Sequence, residues 1–453
     1  MNITAKANTL YYGDCLEIMQ AFPDNYVDLI CLDPPFNSNK KYNNIFKNSG
    51  LTIEPQIKAF DDIWEWNEQA AERVERVKSA IANPASKVIE GFELHIPQSK
   101  MLSYTSYMAE RLFEMWRILK NTGCIYLHCD WYASHYLKVL MDAIFGDKNF
   151  CNQIIWCYGL GGSSQKRFSR KHDIILFYNG GGYYFKKPSM PSTSAMMAGK
   201  PKGMVDYWTD IPTLNNMAKE RMGYPTQKPL TLYERIIEAS SKEGDIVLDP
   251  FCGCGTTIDA AQKKGRRVIG IDILPFALRL INERRLGTPL PVMGIPVDLS
   301  TADQLARSQP FKFQDWAISL IDGFATNPQK VGDDGIDGFG MFAHEPDNME
   351  QRAILVQVTD AKGQQKSKYE RLQTTVRNHN AAMGVLITRN PQKRWEHNLT
   401  PIQMGVTTYA PMQCFSIEEY YRNGKKYQPP LNLPPLTNPW TGKPMQPTLF
   451  DAA

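Results

Sequence analysis

Asp33-Pro34-Pro35-Phe36 stands directly after the apolar run Val27 to Leu32. That run reads as a buried strand, so the tetrapeptide falls at a strand's carboxyl end, the edge of an open α/β sheet where ligands bind. Two prolines stiffen the loop and aim its backbone carbonyls in set directions. A carboxylate, a fixed carbonyl and an aromatic ring are then presented together. Chemistry on an exocyclic amine asks for that combination: acceptors for two N–H bonds, and a ring to stack on a base taken out of its helix. A plain Asp-Pro turn with a packed phenylalanine is the competing reading of the tetrapeptide alone.

A second constellation runs from Asp245 through Asp249-Pro250-Phe251-Cys252-Gly253-Cys254-Gly255-Thr256-Thr257, continues into a helical stretch, and ends in Val268-Ile-Gly-Ile-Asp272. Strand, glycine-rich loop, helix, strand, acid is the order. Glycines let a cofactor approach the backbone, and an acid ending the next strand accepts hydrogen bonds from ribose hydroxyls. The loop departs from G-x-G-x-x-G and no lysine follows the threonine pair, so dinucleotide and P-loop readings weaken. A glycine-rich turn between buried elements is the plain alternative. Cys252 and Cys254 read as small loop fillers, because the two further ligands a metal would need have no candidates. The nine cysteines, odd in number and scattered, read as reduced thiols.

Taken together, D-P-P-F after a strand and D-P-F-x-G-x-G-T-T further along resemble the S-adenosylmethionine-dependent DNA amino-methyltransferases. The catalytic motif precedes the cofactor loop, as in the β group of that family, a circularly permuted form of the methyltransferase fold. Gly13-Asp14-Cys15 resembles the family's acidic adenine-contacting motif. Tyr224-Pro225-Thr226-Gln227-Lys228-Pro229 resembles the segment lining the methionine end of the cofactor, and Gly159 to Tyr178 resembles a further family block. The resemblance covers roughly residues 8–290.

The resemblance implies that Asp33 and the Pro34 carbonyl, in the loop stiffened by Pro35, hold the target amino group while Phe36 stacks on the flipped base. It implies S-adenosyl-L-methionine as cofactor. Asp249, Phe251, Gly253, Gly255, Thr256 and Thr257 would cradle it, Asp272 would hold its ribose, Asp14 its adenine, and Thr226, Gln227, Lys228 and Pro229 its methionine end. In the family an aspartate here goes mostly with adenine N6 and a serine mostly with cytosine N4, so N6 ranks first and N4 second. A 5-methylcytosine enzyme is disfavoured, since none of the cysteines follows a proline. A catalytically silent DNA-binding protein and a small-molecule methyltransferase are the remaining alternatives.

DNA as partner must be argued from local patches, because 51 Lys+Arg against 47 Asp+Glu leaves a net charge of only +4. Lys40-Lys41, Lys166, Arg167, Arg170, Lys171, Lys186, Lys187, Lys200 and Lys202 form clusters suited to phosphate. Tyr183, Tyr184, Phe185, Tyr207 and Trp208 interleave with them, making residues 180–223 the first candidate for target recognition and 38–98 the second, or a lid. A solvated loop is nearly as good a reading. A homodimer and a cognate restriction endonuclease are admissible partners.

These residues need elements to position them. Val27–Leu32, Cys124–His128, Ile174–Tyr178, Ile246–Leu248 and Val268–Ile271 read as buried strands; Met101–Leu119, Ser134–Ile144 and Leu230–Ser240 read as amphipathic helices. Alternation of the two implies an α/β fold, a doubly wound and mainly parallel methyltransferase sheet over residues 1–295, interrupted at 38–98 and 180–223 by stretches that do not look like core. A proline-containing stretch near 286–312 leads to a smaller α/β domain at 313–420, and a proline-rich tail, 421–453, reads as extended. No apolar run reaches the ~18 residues of a membrane span and no signal peptide is visible, so the expectation is a cytoplasmic protein without membrane contact.

The smaller domain carries Asp337, then Gln357-Val-Thr359 and Lys362, and resembles a degenerate Mrr-type restriction-endonuclease-like fold. Such nucleases bind a divalent metal through an acid and an acid-or-Gln-x-Lys. Asp337 and Gln357 fit that pattern, but Thr359 stands where the lysine belongs, and Lys362 could substitute only by folding back. The expectation is an inactive or DNA-binding module, with a fused restriction–modification enzyme as the alternative.

Overall fold

The computed structural model describes residues 4–35, 64–80, 82–159, 164–192, 196, 199–214, 218, 220–222, 227–327, 335–343, 351–359, 364–391, 395–422, 426 and 428–437. Described residues up to 35 and from 64 to 294 form one compact unit; those from 295 onward form a second. Among them, no helix is long and apolar enough to cross a membrane.

The first unit runs β1 (Thr9–Tyr12), α1 (Cys15–Gln20), β2 (Val27–Leu32), α2 (Glu68–Ser79), α3 (Ser86–His95), α4 (Lys100–Ile118), β3 (Leu119–Cys129), α5 (Ser134–Phe145), β4 (Phe150–Cys157), β5 (His172–Asn179), β6 (Ser189–Pro191), β7 (Pro201–Gly203), β8 (Tyr207–Trp208), α6 (Leu230–Ser240), β9 (Ile246–Asp249), α7 (Thr256–Lys263), β10 (Arg267–Asp272), α8 (Pro275–Leu280) and β11 (Val292–Met293). Nine strands form one sheet in the order β11-β1-β10-β9-β2-β3-β5-β4-β8. From β11 to β3 every neighbour is parallel. Only β5 runs backwards, antiparallel to both β3 and β4, with β8 parallel to β4. The near-continuous apolar strands are what a sheet covered on both faces requires. β2 is buried at five of its six positions, the exception being Asp28. Helix α4 shows the matching helical stripe, burying Met101, Tyr104, Met108, Leu112 and Met115.

Two interruptions contribute more to the core than their sequences suggest. In the described part of 38–98, Trp64, Val74, Val77 and Ile89 join the main hydrophobic cluster, carried by an indole and by the apolar faces of α2 and α3. In 180–223, Trp208 and Ile211 are buried. Trp208 sits on the short β8, and the Ile211 carbonyl accepts the Trp156 indole N–H at 2.8 Å. Single large side chains in polar surroundings leave no periodic trace, which is why composition hides them.

The second unit runs α9 (Leu299–Ser308), α10 (Pro310–Ser319), β12 (Phe324–Thr326), β13 (Gly338–Ala343), β14 (Gln351–Thr359), α11 (Gln365–Asn378), β15 (Met383–Thr388), β16 (Ile402–Met404), β17 (Thr407–Tyr409), β18 (Met412–Ser416), α12 (Ile417–Tyr420) and β19 (Leu436–Thr437). Its sheet is ordered β12-β13-β14-β15-β18, antiparallel through β14 and parallel beyond. The stretch expected to connect the two domains instead supplies α9, whose Ala302, Leu305 and Ala306 enter this unit's core. The tail is also corrected. Residues 428–437 are extended, yet Leu431, Leu433 and Leu436 pack on the core and β19 pairs with β13. Proline excludes a helix there, but an edge strand tolerates it.

Candidate active site

Four acids follow the carboxyl ends of four neighbouring parallel strands: Asp14 just after β1, Asp272 ending β10, Asp249 ending β9, and Asp33 just after β2. At ~4.8 Å between strands, this row spans roughly 15 Å. The site is therefore assembled from chain segments more than two hundred residues apart by strand order alone.

The glycine-rich turn between β9 and α7 is held from below. Asp249 Oδ1 accepts the Phe251 N–H at 3.0 Å, and Asp272 accepts Gly253 N–H on Oδ2 and Leu274 N–H on Oδ1, both at 2.8 Å. Gly255 caps α7 in the left-handed region with φ 76°, and a Cβ there would lie 2.6 Å from Ile281 Cγ1. Only glycine fits. Thr256 and Thr257 open α7, both buried, and the Thr257 side chain hydrogen-bonds Asp249. Burial pushes the Asp249 carboxyl up to about 7 and that of Asp272 up to about 6, against the hydrogen bonds they accept. Cys252 and Cys254 are buried with thiols pushed up by burial. Among the described residues, no group of three or more His, Cys, Asp or Glu could hold a metal ion.

Asp14 is committed inside the chain. Its Oδ1 accepts the Leu16 N–H at 2.7 Å as the cap of α1, and its Oδ2 meets Arg111 at 2.5 Å. Arg111 is 4% exposed, on the apolar face of α4, with its guanidinium 3.3 Å above the Tyr107 ring centroid. Sequence analysis missed Arg111. The signal was available: the spacing 104–108–111–115 puts a lone arginine on a buried stripe, which demands a buried partner.

Asp33 meets Lys228, 195 residues away in sequence: Nζ lies 2.5 Å from Oδ2, with the Lys228 and Asp33 side chains 11% and 15% exposed respectively. Asp33 Oδ1 is buried and has no hydrogen-bond partner among the described residues. Pro34 is buried and Pro35 half-buried. Phe36 and Thr226 lie outside the described residues. Gln227 is occupied within its own segment, accepting the Met222 N–H at 2.8 Å and donating to the Glu220 carbonyl at 2.6 Å, and Pro229 precedes α6 as its cap. Of the segment assigned to the cofactor's methionine end, the described polar side chains thus face protein groups.

The basic residues separate. Lys166, Arg167, Arg170 and Lys171 lie in the connection from β4 to β5, at the same edge as Asp33. Arg170 stacks 3.3 Å from the Trp131 ring centroid, and Phe168 is 100% exposed. Lys186, Lys187, Lys200 and Lys202 lie past the far end of β5, around the β6–β7 hairpin, where the Lys186 N–H bonds the Ala239 carbonyl at 2.7 Å. The eight residues of β5 put them roughly 20 Å from the Asp33 edge, at ~3.3 Å per residue. These four lysines are therefore removed from the group expected to act together. A second missed cluster sits at the site edge: His128 Nε2 is 3.0 Å from Asp173 Oδ2, and the Tyr158 hydroxyl donates to Oδ1 at 3.0 Å. Burial raises the Asp173 carboxyl, but the His128 hydrogen bond and nearby charges outweigh it and hold it below the usual range.

In the second unit, Asp337 is buried and its Oδ2 accepts the Val358 N–H at 2.7 Å. Gln357 and Thr359 are buried on β14, and Lys362 lies outside the described residues.

A doubly wound sheet with acids ending four parallel strands, a glycine turn into a helix, and a proline-stiffened acid beside them defines an α/β enzyme that binds its ligands across the carboxyl edge. Residues 27–283, more than half of the chain, match the model of the N6/N4 methylase family, described as DNA methylases, and the chain belongs to that family. The type II methyltransferase M.ScaI of Streptomyces caespitosus is 28% identical over 281 residues, covering 58% of this chain and 76% of the relative. M.HpaI of Haemophilus parainfluenzae, also a type II methyltransferase, is 28% identical over 284 residues, 61% and 73% of the two chains. The solved structure of a DNA modification methylase from Thermus thermophilus, complexed with S-adenosyl-L-methionine, aligns at 20% identity with a TM-score of 0.39, over 64% of this chain and 99% of that one.

Proposed function

We propose that this DNA methylase transfers a methyl group from S-adenosyl-L-methionine to the exocyclic N6 of adenine at specific sites in DNA, acting on a base flipped out of the duplex. The observation that carries the reading is Asp33: a strand-end carboxylate with one oxygen buried and unpartnered among the described residues, on a loop stiffened by Pro34 and Pro35. The residues fit the cofactor. Gly255 leaves space that any side chain would fill, and the carboxylates of Asp249 and Asp272 suit a cation and hydroxyl groups. When bound, S-adenosyl-L-methionine supplies an electrophilic methyl group on a sulfonium.

The chain's own work is to position the amine. An aryl amine delocalises its lone pair into the ring, and an N–H donated to Asp33 Oδ1 favours localisation on nitrogen. That nitrogen forms the new N–C bond as the C–S bond breaks with its electron pair on sulfur. The proton released from the methylated nitrogen passes to Asp33 or water. Positioning and electrostatics suffice, with no covalent enzyme intermediate. The connection carrying Lys166, Arg167, Arg170 and Lys171 is suited to phosphate contact beside the site. The type II label of M.ScaI and M.HpaI supports site-specific modification and a restriction–modification setting. For the second unit the reading is a non-cleaving module, supported by Thr359 at the lysine position and by an Asp337 oxygen bonded to backbone.

The test is methyl transfer from labelled cofactor to unmethylated DNA with nucleoside analysis of the product. N6-methyladenine that disappears in Asp33→Ala is expected, with cofactor binding retained; N4-methylcytosine would overturn the base assignment and keep the reaction. Mg²⁺-dependent nicking by the full chain would overturn the non-cleaving reading.

A further inference from the structure

Lys228 belongs to a segment that sequence resemblance assigns to the cofactor, yet its ammonium is 2.5 Å from Asp33 Oδ2. Its approach direction is set from two sides. Gln227 is anchored by both ends of its amide to residues 220 and 222, and the Leu230 N–H that opens α6 is bonded to Glu220 Oε2 at 3.1 Å. Lys228 is thus delivered between an anchored glutamine and a helix start, not at the end of a free loop. Its charge also acts on Asp173, the acid of the His128–Tyr158 cluster. Among the described residues Lys228 is the side chain that grips the Asp33 carboxylate, whose other oxygen is unpartnered. A carboxylate can rotate about its terminal torsion, which is broad and roughly two-fold. An acceptor that must meet one N–H of an amine in line with a methyl donor cannot rotate freely.

We propose that Lys228 is a positioning residue for methyl transfer: by holding Oδ2 of Asp33 it stops the carboxylate from turning and presents Oδ1 as the oxygen that receives the substrate amine. The inference rests on the proposed transfer to an exocyclic amine and deepens it. Lys228 touches neither reacting atom in this role; it acts through Asp33.

The test uses the full chain with unmethylated DNA and two variants, reading kcat, KM for DNA, and the cofactor dissociation constant by calorimetry without DNA. Lys228→Met is expected to lower kcat about 100-fold, the scale of a misplacement near 1 Å, with KM and cofactor affinity within about twofold of the parent. Lys228→Arg, which keeps a charged donor, is expected to recover at least about tenfold of that loss. Should Lys228→Met not fold, Lys228→Gln is read on the same split. Cofactor affinity weakened about tenfold with kcat at saturation unchanged would overturn the inference and make Lys228 a cofactor ligand. Equal kcat in Lys228→Met and parent would overturn it too. A parent that transfers no methyl group to any DNA would instead overturn the proposed function, and this inference with it.

Discussion

At the residue scale, the strand-end acids are distinguished by what each already holds. Asp14 serves a helix terminus and an arginine, Asp272 serves two backbone N–H groups, and Asp33 keeps one oxygen open. Asp249 and Asp272, raised to about 7 and about 6, hold protons in the folded chain that the unfolded chain loses near the ordinary ~3.9. Their sign is therefore opposite to that of a salt-bridged carboxylate: they favour the folded state at low pH, and that contribution is lost as pH rises from about 4 to about 7. A cation arriving beside them favours ionisation. Calorimetry in two buffers of different ionisation enthalpy should show protons released on cofactor binding at about pH 6 and almost none at about pH 8; equal release at both would contradict it. Gly255→Ala meets both a left-handed φ and Ile281, and should cost about 1–3 kcal/mol in chemical denaturation while weakening cofactor binding.

At the element scale, α4 does two jobs, covering the sheet and carrying Arg111 to Asp14. Arg111→Met should destabilise the first unit by about 2–4 kcal/mol, less than a fully buried pair because Asp14 is 31% exposed. Urea denaturation with Asp14→Asn as the second arm of a cycle would show a loss well short of the sum of the singles. The β4–β5 connection and the β6–β7 hairpin make a second contrast, because basic composition looks alike in both while β5 holds them at opposite sheet edges. Replacing Lys166 and Arg167 with alanine should weaken DNA binding and lower the salt slope by about one per lost phosphate contact. Replacing Lys200 and Lys202 should change neither. A titration series across salt concentrations separates the two.

At the scale of the whole molecule, each unit has its own hydrophobic core. The tail belongs to the second, through β19 and three partly buried leucines. Truncation before residue 428 should lower that unit's stability by about 3 kcal/mol, near 1 kcal/mol for each partly buried leucine. The thermal melt of the truncated chain should shift while its cofactor affinity does not; a shift in affinity alone would refute the assignment of the tail.

The sequence by itself determined the strands, the long helices and the order of the motifs, because apolar periodicity and glycine-rich turns are local properties of the chain. D-P-P-F, the glycine turn and the acid at 272 were legible for the same reason. Strand order is not local, and only the tertiary structure decided which acids stand side by side, which basic cluster shares their edge, and that β5 alone runs backwards. Arg111 on Asp14 and Lys228 on Asp33 join residues separated by 97 and 195 positions. No window of sequence contains both partners, so the pairing exists only once the sheet has closed around it.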